Sequence, residues 1–397
     1  MTKRLLFVIL LTMLLYTGCI QRVAETPTPS QVETPATTET LTSTSTPDEK
    51  EPTPLEELEL RLVETAPPSY RLEVSPLFVD GGLCFAGSLA VLAKYTDSSV
   101  EPEDIIGYGG LGPIGYYSSE QQKFVIRGQN LAPSTIALAA RNLGFDIIMG
   151  IAKDGRIDGT TTDGINITLE SQANNITYYY SDDEAFDFLK RVIASGYPVA
   201  VHLNIIEVMS DFASISNDWV KRMKSFSSLP NKSEFMVVTG YDEANVYLID
   251  PIDPGKPTNL LTRTDNFLAA WNVPKNMVGS NVGPYWMIYI TKSGDRKQVN
   301  DILTWNKQRS VNVPSDIRLW AEQATDETVN TFTSQDFAHI SAARSIYAKF
   351  LDKNGRHESA FSYEQSSKLW EGLSKSLNLS DDLREIADLE EQAQGLY

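Results

Sequence analysis

The chain is short of cysteine, histidine and positive charge, and each shortage excludes a class of protein. Only two of its 397 residues are cysteines, Cys19 and Cys84, so there is no disulfide framework. Three scattered histidines supply too few ligands at the spacings of a zinc site. Lysine and arginine number 34 against 52 aspartates and glutamates, and the formal charge of -18 would repel phosphate backbones. We therefore expect no nucleic-acid partner, no metal and no other cofactor.

Long apolar runs are also missing, so no stretch has the length of a typical membrane-spanning helix. The run at residues 5–16 follows Lys3 and Arg4 and has the length of a signal-peptide core. Residues 15–19 read Leu-Tyr-Thr-Gly-Cys and resemble the lipobox of prokaryotic lipoproteins. This resemblance implies a signal peptide at 1–18 and lipidation of Cys19, and an uncleaved N-terminal anchor is the alternative. Both place the protein at the cell membrane, on the extracytoplasmic face.

A tether follows the anchor. Residues 26–54 contain ten Thr and six Pro and few apolar residues. Burial of these few side chains cannot offset the entropy lost when the chain is ordered. We interpret 19–54 as a disordered tether that alternating Thr and Pro keep extended. Four Asn-x-Ser/Thr sequons fit an exported glycoprotein, although such sequons are frequent by chance. They lie at Asn166, Asn175, Asn231 and Asn378.

Cys84 lies where a glycine-rich approach passes into an amphipathic helix. Gly81 and Gly82 precede it, and apolar residues follow at helical spacing up to Tyr95. A thiol at a helix N-terminus faces unpaired backbone N–H groups and the positive end of the helix dipole, which stabilise a thiolate. A lone cysteine at a helix start is, however, most often a small core residue. Cys84 is therefore a candidate nucleophile that needs supporting residues.

The residues after this helix alternate between helical and strand patterns. Two strands separated by two residues, at 235–242 and 245–251, predict an antiparallel hairpin. The glycine-dense stretch 107–115 predicts a loop, and the polar stretch 207–230 predicts a flap. Further helices are predicted at 134–143, 183–195 and 267–271, and further strands at 145–151, 199–204 and 285–290.

This order of elements resembles the papain-like C39 family of cysteine peptidases and its relative, the BtrH-type acyltransferase domain. The most specific parts are GYPVAVHLN at 196–204 and the pair FMVVTGYD and VYLIDP within 235–251. The cysteine segment shares the SLA at 88–90 but has FAG at 85–87, where the family usually has GPA. The resemblance covers residues 67–297 and implies an α+β fold, a papain-like domain with an antiparallel sheet.

The resemblance also assigns site residues. In the family a histidine just before the valine-rich strand is the general base, and an Asp or Asn before Pro orients it; these positions hold Glu234 and Asp250. Carboxylates near Cys84 would raise the pKa of its thiol by like-charge repulsion. Asp80 is the nearest polar side chain upstream of the nucleophile, where the family uses Gln for the oxyanion. His202, on a neighbouring strand, is an alternative base that Glu234 would orient.

The C-terminal segment has a helical period throughout. From Asp316 apolar residues recur at helical spacing, and the last helix begins at Ser380 with two aspartates in its first turn. We expect a helical domain at 300–397. Our leading hypothesis is a pseudoenzyme with a degenerate centre that binds a peptide or other ligand. The alternatives are an active peptidase or acyltransferase using Cys84 and His202, and a structural surface protein that binds partners through its helices.

Overall fold

Apolar strands assemble into one large sheet in the computed structural model, which describes residues 62–79, 83–113, 116–118, 123–125, 132–153, 175–213, 233–251, 260–273, 283–323, 334–373 and 379–396. The strands are β1 Tyr70–Arg71, β2 Tyr116–Ser118, β3 Lys123–Val125, β4 Phe145–Ala152, β5 Asn175–Tyr179, β6 Val199–Asn204, β7 Ser233–Tyr241, β8 Asn245–Ile249, β9 Leu260–Arg263 and β10 Met287–Lys292. Eight of them form the sheet, in the order β5-β4-β10-β6-β7-β8-β9 with β1 paired to β7, and β2 pairs with β3 separately.

Helices cover both faces of the sheet and make up the C-terminal part. They are α1 Cys84–Thr96, α2 Pro102–Gly109, α3 Ala132–Asn142, α4 Asp182–Ala194, α5 Ile205–Ala213, α6 Thr264–Trp271, α7 Val299–Ser310, α8 Val313–Gln323, α9 Ser334–Lys353, α10 His357–Gly372 and α11 Leu379–Gly395. Among the described helices, none has both the length and the apolar character that crossing a membrane requires.

The sheet is antiparallel at every described pairing except β4 with β5, which run parallel. The predicted hairpin is confirmed as β7 and β8. In the register of β6 and β7, His202 lies opposite Phe235 and Leu203 lies opposite Glu234. The carboxyl end of β6 therefore lies beside the start of β7, which carries Glu234.

Alternate residues of the strands face two separate cores, as period-2 patterning requires. Val237 and Ile288 join the core under α1, which packs against β6, β7 and β10. Val238 and Met287 join the opposite core under α4, α5 and α6. The α+β class with an antiparallel sheet and C-terminal helices, predicted from the sequence, is confirmed.

Two local predictions were wrong. Residues 107–109 are not loop but the last turn of α2, because Pro102 begins the helix, Glu101 and Asp104 form a capping box, and Gly110 ends it at a φ of 63°. The predicted flap at 207–230 begins instead within the helix α5, and its residues 214–230 lie outside the described part.

The C-terminal helices share a core with the cysteine helix. Contacts group residues 53–397 into one compact unit. Helix α9 packs against α2, and Tyr347, Phe350 and Leu351 belong to the same apolar cluster as Leu89 of α1. Two fully buried charges, Arg344 and Glu390, form an ion pair inside the helical part. The exact boundary predicted between 297 and 300 remains a prediction.

The first described residues are hydrogen-bonded to two elements of the sheet domain. The Val63 N–H donates to Ser195 Oγ at 2.8 Å, and Arg191 Nε donates to the Val63 carbonyl at 2.9 Å. Further on, the Leu72 N–H donates to the Thr239 carbonyl at 2.8 Å. The N-terminal segment is therefore fixed to the end of α4 and then to β7.

Several predicted residues lie outside the described part. These are Cys19, Asp80, Asn166, Asn231 and Asn378, together with the signal peptide and the tether. Asn175 is the first residue of β5. Lipidation and glycosylation at these positions stay predictions.

Candidate functional site

Cys84 is the first residue of α1, and the helix places it beside the end of β8. Its predecessor Leu83 caps the helix without a side-chain hydrogen bond. Helix α1 comes close to Pro251 at Gly87, one turn after Cys84. A Cβ on Gly87 would lie 2.8 Å from the Cβ of Pro251. Glycine at this position therefore lets the start of α1 contact the Asp250–Pro251 turn.

The structure brings Cys84, Glu234 and Asp250 together. Among its neighbours the Glu234 carboxylate acts most strongly on the pKa of the thiol, followed by the backbone N–H of Phe235 and the Asp250 carboxylate. Both carboxylates are buried, with Glu234 3% and Asp250 7% exposed. Burial raises the pKa of the Cys84 thiol, the Glu234 and Asp250 charges raise it further, and the Phe235 N–H opposes them. The pKa of the thiol is thus well above its usual range, and Cys84 is in its protonated form.

Within the described residues, no lysine, arginine or histidine contributes to the pKa of Cys84. A reactive cysteine needs a nearby positive charge or a base of suitable pKa, and this thiol contacts a carboxylate instead. The positive end of the α1 dipole is a partial charge only, and burial with two carboxylates outweighs it. The centre is therefore built to donate a hydrogen bond from a thiol and to accept through carboxylates.

His202 lies buried in an aromatic cluster next to this centre. Its ring centroid is 4.6 Å from that of Phe235, which in turn is 4.1 Å from Phe85 and 5.5 Å from Trp286. Burial lowers the pKa of His202 to about 3. The imidazole is therefore neutral at pH 7 and a weak proton acceptor, which is unfavourable for the role of general base.

Sequence reasoning missed two features of the site. One is the Phe235 N–H, a backbone donor that no side-chain pattern reveals. The other is the contact of Gly87 with Pro251; the signal was present, since the chain has Gly where the family usually has Ala. The described residues contain no group of three or more His, Cys, Asp or Glu side chains arranged to hold a metal ion.

Comparisons with known proteins include a weak likeness to a solved structure. No family model and no curated protein matches the chain. Among solved structures, one from Bacillus anthracis assigned as a C39-like peptidase aligns with 57% of this chain and 99% of its own, at 16% identity and a TM-score of 0.32. A TM-score of this size supports no inference about activity. The function proposed below therefore depends on the residues of the site.

Proposed function

We propose that the protein is a membrane-tethered, extracytoplasmic module of C39-like peptidase fold that binds a peptide or similar ligand without cleaving it. The observation that carries this proposal is the Glu234 carboxylate beside the Cys84 thiol, at the position where the family has its base. The lipobox-like residues 15–19 and the Thr- and Pro-rich stretch 26–54 support the tethered location.

A protonated thiol is a poor nucleophile, because the thiolate is the attacking species. Even a thiol with the ordinary pKa of 9.0 is about 1% ionised at pH 7, and burial and two carboxylates lower that fraction further. Ionised Glu234 repels a thiolate, whereas the histidinium of a working cysteine peptidase attracts it. Acylation of Cys84 is thus disfavoured before any substrate binds.

The same groups suit recognition of a ligand that carries hydrogen-bond donors. Glu234 and Asp250 lie at the Cys84 end of α1, and their carboxylate oxygens are hydrogen-bond acceptors. A peptide supplies such donors through its backbone N–H groups and through basic side chains. A site with a carboxylate in place of the base would therefore hold a peptide and leave it intact.

The first test measures the reactivity of Cys84. The full chain carries Cys19→Ser so that Cys84 is the single thiol, and the rate of alkylation by iodoacetamide at pH 7.5 is compared with that of free cysteine. We expect a rate at least about 100-fold below the free thiol, because the thiolate is rare. Alkylation as fast as free cysteine would refute the proposal.

Matched variants of Glu234 show whether its carboxylate is the cause of the slow alkylation of Cys84. Glu234→Gln should speed alkylation, since one repelling charge is gone, and Glu234→His should speed it more and move the pH midpoint downwards. Glu243→Gln, in the exposed turn between β7 and β8, is the control and should leave the rate unchanged. Equal rates in all three variants would show that Glu234 does not suppress the thiol.

Peptide cleavage is the direct test of activity. The chain is incubated with a mixture of unstructured peptides and the products are followed by mass spectrometry. We expect no cleavage. Cleavage that disappears in Cys84→Ser and in His202→Leu would instead establish the active enzyme with His202 as its base.

A further inference from the structure

A pocket of about 170 Å³ opens at the same end of the sheet as Cys84 but on the opposite face. It lies where β4 and β5 end and β10 begins. Tyr285, which lines it, belongs to the core under α4, whereas the next residue, Trp286, belongs to the core under α1. The sheet therefore separates this pocket from the cysteine centre. Its lining residues are Ala152, Lys153, Tyr179, Tyr180, Ser181, Asp182 and Tyr285.

Three tyrosines form the wall of this tyrosine pocket. Tyr179 and Tyr285 are almost fully buried, at 3% and 6% exposed, and Tyr180 is 70% exposed at the rim. Tyrosine rings carry a negative potential on their faces and attract cations there. Burial raises the pKa of the Tyr285 hydroxyl and the neighbouring Asp182 carboxylate raises it further, so an acidic group lies beside the rings.

One cation already occupies a ring face of the tyrosine pocket. The Lys153 ammonium lies 4.4 Å from the centroid of the Tyr180 ring. Lys153 is exposed and its side chain is flexible, so this ammonium is a tethered cation that a ligand can displace. The Tyr180 ring face at the rim of the pocket is therefore accessible to a cation.

The backbone at Tyr285 is held in an unusual conformation to build this wall. With a φ of 57°, Tyr285 is the one non-glycine residue in the left-handed region among the described residues. Its N–H donates to the Trp271 carbonyl at 3.0 Å, which fixes this conformation from α6. Strained positions that their surroundings over-determine are concentrated at binding sites. Here the result is a tyrosine directed at Asp182.

We propose that the tyrosine pocket binds an alkylammonium group, which replaces the Lys153 ammonium at Tyr180 and is balanced by Asp182. A quaternary ammonium such as that of choline and the amine of a lysine side chain share this chemistry. The formal charge of -18 favours the approach of any cation to the protein. The site does not involve Cys84, so it is independent of the function proposed above.

The experiment titrates the full chain with choline and with N-acetyl-lysine amide by isothermal titration calorimetry. The neutral isostere 3,3-dimethylbutan-1-ol, which has the shape of choline without its charge, is the ligand control. We expect both cations to bind and the isostere to bind at least about 10-fold more weakly, because cation attraction to the rings supplies the difference. The ratio of the affinities for choline and for N-acetyl-lysine amide shows which of the two ammonium groups the pocket prefers.

Substitutions of the pocket residues should change the affinity for the cations in opposite directions. Tyr180→Ala and Asp182→Asn should each weaken binding by about 10-fold, and Lys153→Ala should tighten it by about 3-fold because the competing ammonium is gone. Tyr178→Ala is the matched control, an exposed tyrosine of β5 two residues before Tyr180 that does not line the pocket, and it should change nothing.

Three results would overturn the proposal. They are no heat of binding for either cation, equal binding of the neutral isostere, and weaker binding in Lys153→Ala. A Tyr178→Ala variant that loses as much affinity as Tyr180→Ala would also exclude the pocket as the site. Unchanged thermal unfolding of each variant confirms that the affinities refer to folded protein.

Discussion

Burial shifts the pKa values of His202 and Cys84 in opposite directions, and both shifts favour the uncharged form. For His202 burial disfavours the charged imidazolium and leaves a neutral ring among aromatic side chains. For Cys84 it disfavours the thiolate, and the adjacent Glu234 acts in the same direction. The base candidate and the nucleophile candidate are therefore both held in their uncharged forms. A helix start and a nearby histidine, which the sequence shows, do not by themselves make a reactive thiol.

The lowered pKa of His202 predicts a specific loss of stability in mild acid. As pH falls below the ordinary value of 6.5, the unfolded chain binds a proton at this position, and the folded chain does not until about pH 3. Stability is therefore lost as pH falls through that window. Between pH 7 and pH 5 the loss amounts to about 2 kcal/mol.

Urea unfolding of the wild type and of His202→Leu at pH 7 and pH 5 measures this loss. The drop in unfolding free energy should be about 2 kcal/mol smaller in the variant, because carboxylates titrate alike in both proteins. His357→Leu, which removes an exposed histidine of α10, should keep the full drop. An identical drop in wild type and His202→Leu would mean that His202 is protonated in the folded state.

At the scale of elements, the position of α1 depends on one glycine. A methyl group on Gly87 would meet Pro251 at 2.8 Å, in a place where the backbone and a proline ring leave little room to yield. Alanine favours a helix by about 1 kcal/mol over glycine, but overpacking costs about 1–3 kcal/mol. We expect Gly87→Ala to lower the free energy of unfolding, as measured by urea denaturation.

Gly372 is the control for this prediction. It lies at the end of α10, and an added Cβ there would meet nothing within 4 Å. Gly372→Ala should therefore leave stability unchanged or raise it by up to about 1 kcal/mol. If Gly87→Ala were equally harmless, the helix would have to move away from Pro251, and the Cys84 alkylation rate would change with it.

Elements with a strong local pattern were predictable, and those decided by distant contacts were not. The hairpin of β7 and β8 and the helix after Cys84 have apolar residues at the expected period. The glycines of α2 favour a loop locally; the helix forms because of its capping box and because Gly107 packs against the Phe350 ring of α9. Motifs likewise predicted Cys84, Glu234 and Asp250, whereas the tyrosine pocket combines residues from three distant segments.

For the whole molecule, the C-terminal helices are attached to the sheet domain through a buried polar network. Glu390 accepts hydrogen bonds from Arg344 Nε at 2.8 Å, Ser366 Oγ at 2.9 Å and Trp370 Nε1 at 3.1 Å. Arg344 also donates to the carbonyl of Gly112, in the segment that follows α2. The network therefore joins α9, α10 and α11 to the part that carries Cys84.

Glu390→Gln removes the negative charge and leaves Arg344 buried without compensation. We expect a loss of about 3–5 kcal/mol in unfolding free energy. Because the helices share an apolar core with α1, we also expect one calorimetric transition, shifted as a whole to lower temperature.

The control compares this buried pair with a surface one. Arg318 is paired with Asp388 and Glu391 in exposed positions, so Arg318→Ala should cost less than about 1 kcal/mol. Two separate transitions in Glu390→Gln, with only one of them shifted, would show that the helices unfold as an independent domain.

The hydrogen bonds at Val63 and Leu72 determine how a mechanical load enters the molecule. Tension applied from the N-terminal side reaches Ser195 and Arg191 of the α4 end first, and then β7 through the Leu72 bond to Thr239. The strand that would be pulled second is the one that presents Glu234 to Cys84. A load applied N-terminal to Val63 is thus transmitted to the strand of the thiol centre, whereas the C-terminal helices lie outside this path.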